Sequence, residues 1–167
     1  MGNSKNMTRL TIVILLLTIS SFSFGQECKT FQDYEVNGQK IADLDSPYPS
    51  ALSADTTIAV FHSREDEFYE AWVSLLNDLA QHLANNDFTW GKPTWCFNKI
   101  YFNKDGKIDK YLFNFRKLEV EEDKQAIFAK LLTEFAKDYK LKIDKVANSN
   151  FSQCGPVIYK DKEKRTD

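Results

Sequence analysis

The chain has 167 residues, 43% hydrophobic and 28% charged, with a formal net charge of −2 at pH 7. A mildly acidic chain without a basic block argues against nucleic acid as a partner, because that affinity rests on neutralising phosphates with Lys and Arg. Its two histidines, His62 and His82, have no His-x-x-x-His spacing, and there is no Cys-x-x-Cys, so neither a metal nor a cofactor is expected.

The first element is an export signal. Lys5 and Arg9 supply a positive start, Leu10 to Ile19 an apolar centre, and Ser23-Phe24-Gly25 the small residues of a cut before Gln26. The run Leu10 to Phe24 is fifteen residues, short of the roughly 20 that span a bilayer as a helix. Residues 1–25 are therefore expected to be cleaved. Residues 26–167 would form a single periplasmic or extracellular domain without a membrane span. Gly25-Gln26-Glu27 ahead of Cys28 fits a lipoprotein signal badly, so a soluble exported domain is the reading. Three cysteines in an exported chain predict one disulfide. Cys28 would lie at a loose terminus, which favours Cys96–Cys154 among three possible pairings.

Residues 26–56 read as an irregular wrap, with a turn at Val36-Asn37-Gly38-Gln39 and extended chain around Pro47 and Pro49. Thr57 to Phe61 is a short apolar run that reads as a strand. Ser63 followed by Asp66 resembles a capping box, and Phe68, Trp72, Leu75, Leu76, Leu79 and Leu83 then recur at helical spacing along one stripe. Asn85-Asn86 supplies the stop. Two β-rich runs, Phe97 to Phe102 and Ile108 to Phe115, flank an Asp105-Gly106 turn and predict a hairpin. A second helix carries Ile127, Phe128, Leu131, Leu132, Phe135 and Tyr139 along one side, with Glu121-Glu122-Asp123 at its start. A last strand covers Val157-Ile158-Tyr159. Pro156 assigns it to an edge, and residues 160–167 read as a solvated tail.

This order predicts an α+β fold, an antiparallel sheet with two helices packed on one face. The expected core comprises Phe68, Trp72, Leu75, Leu79, Ile100, Phe102, Leu112, Phe128, Leu131 and Phe135. From Ser63 to Tyr159, the helix-strand-strand-helix-strand order and the Asn103-Lys104-Asp105-Gly106-Lys107 hairpin resemble the C-terminal domain of TonB and TolA proteins. Tyr48-Pro49 is the nearest match to the Tyr-Pro pair that this family sets ahead of its first helix. The resemblance implies a periplasmic protein-binding role in which a partner peptide adds to the sheet edge.

Motifs for chemistry are weak. Setting Gly106 at position 6 of a calcium loop puts Tyr101 at 1 and Leu112 at 12, neither a carboxylate. His62-Ser63 lacks a Gly-x-Ser-x-Gly elbow, and the acidic clusters at Glu65 to Glu70 and Glu119 to Asp123 fall at helix starts, where the dipole explains them. No catalytic residue is assigned. The leading reading is a non-enzymatic binding domain for a protein or peptide, with carbohydrate as a further candidate. The rival is a small exported hydrolase whose acidic site is assembled only by folding. The candidate binding residues are Phe88, Trp90, Lys92 and Trp95, around a Gly91-Lys92-Pro93 turn. The competing role for both indoles is to cap the core between helix and hairpin.

Overall fold

The computed structural model describes residues 27–165 apart from Asn37, Leu118 and Lys145. The expected export signal, residues 1–25, lies outside the described residues. The chain runs β1 (Glu27–Thr30), α1 (Phe31–Glu35), α2 (Ile41–Asp45), a 3₁₀ turn (Thr56–Ile58), α3 (Glu65–Asn85), β2 (Thr94–Phe102), β3 (Ile108–Phe115), α4 (Glu122–Asp138) and β4 (Phe151–Tyr159). The architecture is α+β, and the four strands lie in the order β1-β3-β2-β4.

The sheet is mixed rather than purely antiparallel. β2 pairs antiparallel with both β3 and β4, but β1 runs parallel to β3, setting Cys28 beside Tyr111 and Thr30 beside Phe113. The cause is local to the stretch expected to be an irregular wrap. Glu27 to Thr30 takes the free edge of β3, then Thr30 caps α1 by accepting from the Asp33 N–H. Thr57 to Phe61 is not a strand. Asp55 accepts from both the N–H and the hydroxyl of Thr57, which tightens this stretch into the 3₁₀ turn.

α3 follows its stripe. Phe68, Leu75, Leu79 and Leu83 are buried, with Trp72 and Leu76 partly buried against them. Its ends differ from expectation. Arg64, not Ser63, occupies the N-cap, and the left-handed residue at the stop is Asp87 at φ 58°, not an asparagine. The Phe88 N–H closes that end on the Leu83 carbonyl. In the hairpin, Gly106 sits at φ +81°, where the Asn103 side chain accepts from the Asp105 and Lys107 N–H groups.

Alternation along β2 separates two apolar clusters. Cys96, Ile100 and Phe102 join the larger one, together with Phe68, Leu75 and Leu79 of α3 and Phe128, Leu131 and Phe135 of α4. Ring contacts tie these elements together. Phe68 lies 6.1 Å from Phe151, and Phe128 is within 6 Å of Phe113, Phe115 and Tyr159. Leu112 belongs instead to the smaller cluster, with Tyr101 and with Tyr34 and Leu44 of α1 and α2. A one-residue shift along a strand changes faces, and Leu112 falls on the face those short helices cover.

A polar chain runs through the larger cluster. The Tyr159 hydroxyl donates to Asn98 Oδ1 at 3.1 Å, and the Tyr111 hydroxyl lies 3.1 Å from that of Tyr159. Burial pushes both phenols well above their ordinary range, and it does the same to Tyr101 and Tyr139. Unfolded tyrosine ionises near about pH 10. Because the folded values are raised, this contribution to stability is intact below about pH 10 and is lost as pH climbs toward them. Tyrosinate absorbance should therefore rise together with loss of near-ultraviolet circular dichroism. Free titration of all tyrosines near pH 10 in a chain that stays folded would contradict this packing.

Candidate binding surface

β4 is an edge strand, and part of its outer side is already occupied. The Ser152 N–H donates to the Pro49 carbonyl at 2.9 Å and the Ser152 carbonyl accepts from the Ala51 N–H at 2.7 Å. Since backbone groups alternate along a strand, Cys154, Pro156 and Ile158 turn their backbone polar groups to the same outer side as Ser152. Pro156 has no N–H, and this position asks the β2 ladder for none. Gln153 ends the occupied stretch, taking the Leu52 N–H on Oε1 at 3.0 Å and donating from Nε2 to the Cys154 carbonyl at 3.1 Å.

Beside this edge lies an apolar strip. Register pairs Trp95 with Ile158, Phe97 with Pro156 and Lys99 with Cys154. Pro156 and Cys154 are exposed, Ile158 is 61% exposed, and Trp95 and Phe97 are half-buried. The Arg116 guanidinium lies over the Trp95 ring at 5.0 Å, and Phe31 of α1 touches the Phe97 ring at 6.0 Å. Beyond Phe97 the same face turns polar, where Asp45 takes the Lys99 ammonium at 2.7 Å and the Tyr101 hydroxyl at 2.8 Å.

The four residues singled out from sequence do not share one surface. Phe88 and Trp90 are buried in the larger cluster, with the Trp90 indole stacked on Tyr159 at 5.2 Å and 13°. Lys92 is exposed on the turn, and Trp95 is half-buried in the strip on the other sheet face. Phe97, Pro156 and Ile158 were missed as site residues. Their available signal was Pro156 inside a strand pattern, which marks an edge and hence an open neighbour.

Cys96 and Cys154 are not joined, and all three cysteines are free. Cys96 is opposite Val157 and faces the core, whereas Cys154 is opposite Lys99 and exposed. Three residues of offset along paired strands is roughly 10 Å, beyond the roughly 7 Å between Cα atoms that a disulfide bridges. Burial pushes the Cys28 and Cys96 thiols up to about 12, the opposite of a reactive thiol.

A cleft of about 840 Å³ lies where β3 ends and α4 begins, lined by Asn114, Arg116, Lys117, Glu121, Glu122 and Asp123 among others. It gathers charges of both signs at a helix start, and Glu121, Glu122 and Asp123 are the carboxylates on which the hydrolase reading would draw. Among the described residues no helix is long and apolar enough to cross a membrane. No family model, curated protein or solved structure matches this chain.

Proposed function

We propose that this chain is an exported, non-enzymatic binding domain that takes an extended segment of a partner protein or peptide as an added strand on β4. In this reading α3 and α4 cover one sheet face, and the strip of Trp95, Phe97, Pro156 and Ile158 receives the partner's side chains on the other. The observation that carries it is that, among the described residues, no strand pairs with the outer side of β4 beyond Ser152, which leaves the Cys154 N–H, the Pro156 carbonyl and both backbone groups of Ile158 in line with the stretch on which Pro49 to Ala51 already pairs. Main-chain bonds to such an edge supply affinity, and neighbouring apolar positions supply selectivity at alternate residues. The TonB-like and TolA-like order of elements supports the same mode. Pro156 argues for a foreign partner over a second copy. Antiparallel self-pairing centred on Pro156 would set two residues without N–H groups against each other and leave both facing carbonyls unpaired.

The test is capture of partners from envelope extract by the wild type, by Trp95→Ala and by Ile158→Pro. Loss of an interface Trp commonly costs about 2 kcal/mol, which is about thirtyfold in affinity. Ile158→Pro deletes an outward N–H while sparing the ladder to β2, so capture should fall with the fold retained. Equal capture by all three folded proteins rules the edge out.

A further inference from the structure

Within the stretch expected to be a solvated tail, Asp161 to Arg165 are docked, and one contact has the form of a ligand site. The Asp161 carboxylate accepts from two successive backbone N–H groups, Trp90 on Oδ1 and Gly91 on Oδ2, the second at 2.9 Å. The two N–H groups belong to the tight turn in which Gly91 takes φ +77°. Successive amides in that conformation form a concavity for an anion. Lys124 fixes the same peptide from behind, donating to the Trp90 carbonyl at 3.0 Å, and the exposed Lys92 adjoins it.

Among the described residues, the other bonds that hold the tail are polar and on the surface. Lys162 donates to the Asn77 carbonyl and side chain, Gln81 to the Glu163 carbonyl, and the Arg165 N–H to Asn85. Lys164 meets both Asp87 carboxylate oxygens at 2.9 and 3.0 Å. Residues Lys160 to Arg165 contain no apolar side chain and are all exposed. Salt weakens such exposed pairs far more than it weakens the aromatic core beneath them.

We infer that the Trp90–Gly91 amide pair is a carboxylate-binding nest which the chain's own Asp161 fills, and that the tail is a strap masking it from the acidic side chain of a partner peptide. The site uses the backbone of the turn rather than its indoles, and it is independent of the β4 edge.

The experiment is amide NMR on the full chain carrying Asp161→Ala, probed with sodium acetate and with a synthetic peptide of residues 160–165. The Trp90 and Gly91 amide signals should move on substitution. They should return saturably with either probe, the peptide acting at tenfold lower concentration or better. A peptide with its own Asp161→Ala change should do nothing. The wild type, its nest already filled, should respond at least tenfold more weakly. A folded Asp161→Ala chain whose Trp90 and Gly91 signals ignore both probes overturns the proposal. So does loss of the fold on that substitution alone, which would make Asp161 a structural tie. A chain with Lys162→Ala and Lys164→Ala keeps the nest and loosens the strap. Its response to the peptide should exceed the wild type's, and an unchanged response counts against masking.

Discussion

Phe128→Ala is expected to remove about 3–5 kcal/mol of stability, the usual cost of truncating a fully buried phenylalanine. The side chain is 0% exposed, and its ring touches those of Phe88, Trp90, Phe113, Phe115 and Tyr159. Those five rings belong to β3, β4 and the loop after α3, so truncation would remove contacts to three separate parts of the fold. Typical domains hold about 5–15 kcal/mol in all, so the variant should unfold at much lower urea. Phe128→Leu should cost less, since it keeps most of the apolar volume. A loss under about 1 kcal/mol for Phe128→Ala would show that α4 does not bury this face.

Trp90→Ala is expected to cost a similar amount, about 3–5 kcal/mol. From sequence, this indole had two roles available, a contact residue on a turn or a cap on the core. At 6% exposure, between Tyr159 and Phe128, the ring has the geometry of the second. The effect should appear in urea denaturation and in loss of near-ultraviolet circular dichroism. Trp90→Phe should retain most of the stability. Because Trp90 and Phe128 rings lie 5.2 Å apart, the double variant should cost less than the two single losses added together. A Trp90→Ala chain within about 0.5 kcal/mol of wild type would return the indole to the surface role.

The helices and the hairpin were legible because their signals are local. Phe68, Leu75, Leu79 and Leu83 recur at the helical period, and Asp105-Gly106 sits between two β-rich runs, so each element is specified by residues within a few positions of one another. Pro156 likewise marked β4 as an edge. Cap details were less legible. Arg64 rather than Ser63 took the N-cap, and at the other end Asn86 is the C-cap as expected but the left-handed position fell to Asp87. The candidate site was half legible. Trp95 was singled out, while its partner Ile158 lies 63 positions away and nothing near either residue announces the pairing.

By itself the sequence determined the two long helices, the hairpin, most of the apolar core and the absence of a recognisable catalytic motif, all of which rest on spacing within one segment. Only the tertiary structure decided that Glu27 to Thr30 joins β3 in parallel, that Cys96 and Cys154 face opposite ways, that Trp90 and Trp95 part company, and that Asp161 returns to the Trp90 turn. Each of these depends on which strand lies beside which and in what register. A single step of register exchanges the two faces of a strand. Register is set by the summed packing of the whole sheet, a quantity that no local window of residues contains.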